Sequence, residues 1–250
     1  MQLINNYPLF LPNVTKTYTN SSNSLVDVDI RLQEARKALF YIIKKKYFNK
    51  IVLVDGSNTK ILSEKEISFY GKNGIIIEQL LFQQKTSDVL KYGKSQGEMQ
   101  ITNFMISNSL LVKNAGGFTK ISPRYFFDNI DEVMSKIYNK KNIFYYYHPP
   151  FVREIFSFVS TIFYKTSIEF YKEHLENSIE ECNNDVSGFL ESVFFRKLRN
   201  IDKAAICSEF PHWSGIAGTS GKSLYNNHFK IRNTLSQLGF LAYEFSDKID

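Results

Sequence analysis

The chain has 250 residues, 43% of them hydrophobic, and a formal net charge of +6. That length and apolar content allow one large domain with a real core. No apolar run reaches the ~20 residues of a bilayer span, and Cys182 and Cys207 are too few for a disulfide framework or a zinc site.

The N-terminus lacks the basic start and apolar core of a secretory signal, which predicts a cytoplasmic protein with free thiols. The basic balance is compatible with nucleic acid. However, the lysines are scattered, apart from Lys44-Lys45-Lys46 and Lys140-Lys141. Without a continuous basic stripe, no nucleic acid is expected, and peripheral contact with the anionic inner membrane face is retained.

Taken in order, Tyr7 to Leu11 reads as a strand interrupted by Pro8 and Pro12. From Asp29 to Tyr47 apolar residues recur at helical spacing, with Asp29 as the expected N-cap. Ile51-Val52-Leu53-Val54 is a β-branched run expected as a buried parallel strand. It ends in Asp55-Gly56-Ser57-Asn58, at the carboxyl end of a strand, where open α/β sheets bind ligands. Part of Ile75 to Phe82 reads as strand, and Glu98 to Val112 as one helix stopped by Gly116-Gly117. Phe118 to Ile121 is a predicted strand, Ile130 to Tyr138 a helix, and Asn142 to Tyr147 a strand closed by His148-Pro149-Pro150. Val152 to Tyr164 is expected to be strand-rich, Ser167 to Cys182 and Val186 to Leu198 helical, and Ala204 to Cys207 a last strand. Alternating strands and helices predict an α/β sheet in one domain.

Chemistry concentrates between Gly93 and Tyr125. Gly93-Lys94-Ser95-Gln96-Gly97-Glu98 brackets a lysine with glycines at a helix start, where backbone amides favour an anion. Phe118-Thr119-Lys120-Ile121-Ser122-Pro123-Arg124-Tyr125 ends a strand in a second basic cluster. Lys94, Lys120 and Arg124 can therefore neutralise a diphosphate without a metal. Asp55 and Asn58 read equally as a tight turn and as groups at a strand tip that meet a base or ribose. Glu191, amid Phe189, Leu190, Val193 and Phe194, reads either as the polar face of a helix or as a base.

Gly215 to Ser223 is not a Walker motif, because Ile216 stands where the pattern requires glycine. Ser220 and Lys222 are still expected to close over a bound phosphate. The one D-x-D string, Asp27-Val28-Asp29, precedes the first helix and reads as coincidence. His148, His174, His212 and His228 show no metal-ligand spacing.

Taken together, these segments resemble a family of bacterial glycosyltransferases of capsule or lipooligosaccharide synthesis. The resemblance rests on Asp29-x-Arg31-Leu32, on Ile51 to Asn58, on Gly93-Lys94-x-x-Gly97-Glu98 with Asn108-Ser109, and on Phe118-x-Lys120-Ile121-Ser122-x-Arg124-Tyr125. The late Gly218-Thr219-Ser220-Gly221-Lys222 stretch is also similar. The chain departs from the family at Pro123, where glycine is expected.

The resemblance implies a GT-A-like, Rossmann-type mixed and mostly parallel sheet. A nucleotide-binding part covers about 1–125, and an acceptor-side part about 126–250. It implies a nucleotide-sugar donor and a glycan or lipid-linked glycan acceptor. Asp55, Asn58, Lys94, Glu98, Tyr125, Ser220 and Lys222 would hold the donor. Glu191 would serve as base, with Lys120 and Arg124 at the leaving diphosphate, and aromatics of the second half would form an acceptor platform. With no D-x-D after a mid-chain strand, use of Mn or Mg is left open. A phosphotransferase or nucleotidyltransferase, and a non-enzymatic nucleic-acid or anionic-surface binder, are the alternatives.

Overall fold

In the computed structural model, which describes residues 5–17, 27–148, 157–215 and 229–246, the sheet is built around the first strand. This strand, β1 (Leu9–Asn13), is buried along its whole length. It pairs in parallel with β2 (Lys50–Asp55), and β2 pairs in parallel with β3 (Ile76–Leu81). On its other side lies β4 (Gly117–Ile121), also parallel. The sheet then turns antiparallel through β6 (Ile143–Tyr147), β7 (Phe158–Ser167), β8 (Lys203–Ala205) and β10 (Ala242–Phe245). The full order is β3-β2-β1-β4-β7-β6-β10-β8. The result is a mixed sheet in which six of the eight strands point one way. A separate ribbon pairs β5 (Tyr125–Phe127) with β9 (Trp213–Gly215).

Pro12 determines where the sheet opens. Pro8 O accepts from Thr119 N, so the even-numbered residues of β1 bond towards β4. Pro12 has no N–H to carry that ladder on. The β1–β4 pairing accordingly covers Leu9↔Thr119 and Phe10↔Lys120, whereas β1 stays paired with β2 as far as Asn13. The two strands part at their carboxyl ends.

Helices cover both faces. One face carries α1 (Val28–Lys45), α2 (Glu64–Lys72), α6 (Ile130–Ile137) and α9 (Phe229–Gln237). The other carries α4 (Lys94–Asn108), α5 (Leu110–Ala115), α7 (Ile168–His174) and α8 (Leu190–Leu198), with α3 (Thr86–Tyr92) leading into α4. Alternation along each strand feeds the two cores. Leu9, Leu11, Ile51, Leu53 and Tyr145 face one side, and Phe10, Val52, Val54, Phe144 and Tyr146 the other. The aromatics of β6 and β7 are thus core residues; Phe144 and Tyr164 stack at 5.4 Å. They do not form the surface platform expected from their abundance.

Three local expectations need correction. Asp27, not Asp29, caps α1, accepting from Ile30 N at 2.8 Å; Asp29 sits in the first turn. The helix expected from Glu98 begins at Lys94 and breaks at Ser109. Ser109 Oγ caps α5 and donates to Glu78 at 2.5 Å, while Glu78 also takes Leu110 N at 2.9 Å. The helix expected from Ser167 to Cys182 ends at His174 and continues as a 3-10 turn over Glu176–Glu180.

Cys182 is buried and Cys207 exposed, and both are free. Among the described residues no helix is long and apolar enough to cross a membrane.

Candidate functional site

The chain crosses from one side of β1 to the other between β3 and β4, so the gap above β1 and β4 is a topological switch point. Open α/β sheets bind ligands in such a crevice, outside the carboxyl ends of the strands. A cleft of about 570 Å³ lies there. Its floor is Pro12 and Asn13 from β1 and Val14 just after it, with Ser122, Pro123, Arg124 and Tyr125 from the segment after β4. Lys94, Gly97 and Glu98 of α4 form one wall, and Thr161, Phe189 and Glu191 another. Both halves of the chain therefore contribute to it.

Two glycines allow α4 to begin at this wall. Gly93 has φ 89°, in the left-handed region, and a Cβ on it would collide with Asn184. A Cβ on Gly97 would collide with Gln84. The first turn of α4 has no side-chain cap, so its amide end and Lys94 face the cleft together. Lys94 Nζ lies 5.8 Å from the Phe189 ring centre.

The structure divides the three predicted cations. Lys94 and Arg124 line the cleft; Lys120 does not. Its ammonium is fully buried and gives its donors to Glu98, to Thr161 O and to Ser122 Oγ. Lys120 therefore holds the wall from behind, fixing Glu98 against β7. Among the described residues Glu98 and Glu191 are the two carboxylates of the lining, and Thr161 Oγ1 donates to Glu191 at 3.2 Å.

Asp55 is buried at 1% exposure, beside the cleft rather than in its lining. One carboxylate oxygen accepts from Asn13 Nδ2 (2.8 Å), Thr15 N (3.0 Å) and Thr15 Oγ1 (2.6 Å). The other accepts from Ser57 N (2.8 Å), Ser57 Oγ (2.5 Å) and Thr59 N (3.2 Å). It ties the loop after β1 to the loop after β2. Asn58, with φ 57°, is exposed in that second loop and also outside the lining. Substituting Asp55→Asn is expected to lower stability by about 2 kcal/mol, because one oxygen and its three donors lose their charged acceptor. Urea denaturation measures this, and an unchanged midpoint would mean the carboxylate is free for a ligand.

Two residues missed as chemistry emerge here. Asn13 is buried and bridges Asp55 to the cleft, accepting from Arg124 Nη1 at 3.5 Å. Arg31, noticed in the sequence as part of a helix-start pattern, is 5% exposed and reaches back from α1 to donate Nε to Val14 O at 2.7 Å. Burial, and then the charge of Arg124, push its guanidinium down to about 9. Burial likewise lowers Arg124. An arginine at the fourth residue of an amphipathic helix gives no signal in periodicity that it turns inward.

Ser220 and Lys222 lie outside the described residues. Among the described residues no group of three or more His, Cys, Asp or Glu side chains is arranged to hold a metal ion. Arg31, Lys94 and Arg124 against Glu98 and Glu191, with Glu98 already engaged by Lys120, leave a lining that favours anions. Fold and cleft together define an α/β protein with an anion-favouring crevice at the switch point of its sheet. No protein-family model matches the chain, and no curated protein matches it.

Proposed function

We propose that this chain is a glycosyltransferase with a GT-A-like sheet, moving a sugar from a nucleotide-activated donor to a glycan or lipid-linked glycan acceptor in bacterial surface polysaccharide synthesis. One observation carries the reading: a crevice at the topological switch point whose wall combines an uncapped helix N-terminus and Lys94 with the guanidinium of Arg124. Preorganised positive charge of this kind stabilises a departing diphosphate.

In the reaction, the bond from the anomeric carbon to the donor phosphate breaks and its electron pair leaves with the nucleoside diphosphate. The acceptor hydroxyl forms the new bond and loses its proton. Glu191 is the lining carboxylate proposed to take that proton in an inverting transfer, since Glu98 is committed to Lys120. Tyr125 and Phe189 offer faces on which a ring can stack. Lys120, expected as a direct phosphate contact, is assigned instead to holding Glu98 in place.

Isothermal titration with uridine, guanosine and cytidine diphosphates, with and without manganese, tests the reading. At least one is expected to bind with a Kd below about 1 mM, equivalent to about 4 kcal/mol. No heat from any of them would overturn it.

A further inference from the structure

We infer that Glu98 reads hydroxyl groups on the ligand of the cleft, as an acceptor held in position by the buried Lys120. The inference rests on the transferase reading and deepens it, naming the group that selects a hydroxyl-bearing ring over a bare phosphate.

Lys120 lies on β4 between Phe10 of β1 and Tyr164 of β7, and its side chain has no exposure. The ammonium sits 5.3 Å from the Tyr164 ring centre. It donates to Thr161 O, to Ser122 Oγ at 3.4 Å and to Glu98 Oε1. An ammonium has three donors, and these three acceptors use them all. A buried ion pair is a poor source of stability compared with apolar packing. What this pair achieves is placement, because a group outside the lining fixes the carboxylate of α4 at the wall of the cleft.

Glu98 keeps most of its accepting capacity for a ligand. Its side chain is 30% exposed and lines the cleft. Among the described residues, Lys120 is the one side chain whose hydrogen bond it accepts. An ionised carboxylate offers about four lone-pair sites and no donor.

The charges around Glu98 decide what can use those sites. A phosphate oxygen is repelled by the carboxylate and belongs beside Lys94 and Arg124. A cation would meet those two groups in the same cleft and Lys120 behind the wall. A hydroxyl brings a donor without a charge, and its bond to an ionised acceptor is stronger than one to a neutral acceptor. The cleft therefore has an anion side and a hydroxyl side, and a ring that carries both phosphate and hydroxyls spans them. Two rings have that chemistry: the ribose of the nucleotide and the sugar in transit.

The test is calorimetric titration of the full chain and of Glu98→Gln. In that variant the amide oxygen turns to Lys120, which has only donors, and leaves an NH2 group where the cleft had an acceptor. The probes are uridine, guanosine and cytidine diphosphates, their 2′,3′-dideoxy counterparts, inorganic pyrophosphate, inorganic phosphate and the 1-phosphates of glucose, galactose and mannose. The unmodified protein is expected to prefer at least one hydroxyl-bearing probe over its bare counterpart by about tenfold or more. Glu98→Gln is expected to abolish that preference, while pyrophosphate affinity holds or rises because a negative charge has left the cleft. A merely structural glutamate would instead lower every affinity together, and that result would overturn the inference. Preference for the nucleotides over their dideoxy forms selects the ribose. Preference for a hexose 1-phosphate over inorganic phosphate selects the sugar. Where Glu98→Gln does not fold, Lys120→Met with Glu98→Met removes both charges and is expected to lose the same preference. A preference that survives substitution, or none in the unmodified protein, removes the role of Glu98. Hydroxyl-dependent binding of a hexose phosphate without binding of any nucleotide would keep that role and count against the transferase reading. Nucleotide binding indifferent to hydroxyls would do the reverse, and no binding by any probe would overturn both.

Discussion

Replacing Lys120 with methionine is expected to lower the unfolding free energy by about 3 kcal/mol, the lower end of the cost of breaking a buried ion pair from one side. The ammonium has no exposure, and its departure leaves the charge of Glu98 unmatched. Glu98 is 30% exposed, so water screens part of that loss and the larger figures for fully buried pairs do not apply. Thr161 O loses a donor in the same change. The double variant Lys120→Met, Glu98→Gln removes the stranded charge and is expected to recover most of the deficit. Urea unfolding of the two single variants and the double variant measures the coupling. If Lys120→Met alone leaves the midpoint unchanged, Lys120 is not part of the wall and its assignment to the phosphate returns.

The second large effect is on the pH dependence of stability. Lys165 sits near the C-terminal end of β7, fully buried, and donates to Ile137 O at 3.1 Å and Tyr138 O at 2.8 Å at the end of α6. The Tyr7 ring lies 5.2 Å from Nζ, and Glu244 is the nearby carboxylate that favours its charge. Burial outweighs that help and pushes the ammonium down from 10.5 to about 7. A lysine with a depressed folded value binds fewer protons when folded than when unfolded across that interval. Stability from this group therefore rises with pH between about 7 and 10.5, and is flat on either side. Lys165→Met removes the titration. The difference between the unmodified protein and the variant is expected to shift by about 3 kcal/mol in favour of the unmodified protein between pH 7 and pH 9.5. The comparison cancels the raised tyrosines Tyr164 and Tyr171, which are present in both proteins. A difference independent of pH would show that Lys165 stays charged in the fold.

Much of the sheet was legible because its parallel strands are short, β-branched and buried on both faces. Ile51 to Val54 and Phe118 to Ile121 declared themselves in this way, and so did the glycine stop at Gly116. Elements held by tertiary contacts were harder to see. β5 and β9 are three-residue strands that pair with each other across a long separation and carry little local pattern. α2 is closed by a Ser63–Glu66 capping box, but none of its residues is buried, so its apolar stripe is weak. The break at Ser109 comes from Glu78, a residue on another element. The site was readable as a sequence neighbourhood from Gly93 to Tyr125, since Lys94, Glu98, Arg124 and Tyr125 do line one cleft. Composition could not tell a lysine that faces a ligand from one that braces a wall, so Lys94 and Lys120 read alike. Pro12 looked like an interruption of the first strand, whereas in the sheet its missing N–H ends one ladder and opens the crevice.

The placement of β10 has a consequence for how the chain comes off the ribosome. This strand is inserted between β6 and β8, although about a hundred residues separate it from β6 in sequence. Until residues 242–245 have emerged, the aromatic flank of Ile143 to Tyr147 has no partner on that side, and Lys203 to Ala205 has nothing to dock against. The half bearing the crevice has its strands made early and can assemble during synthesis, whereas the far margin waits for the last segment. A nascent chain halted short of Ala242 would therefore present a bare tyrosine-rich ledge, the kind of surface that chaperones capture and that seeds aggregation.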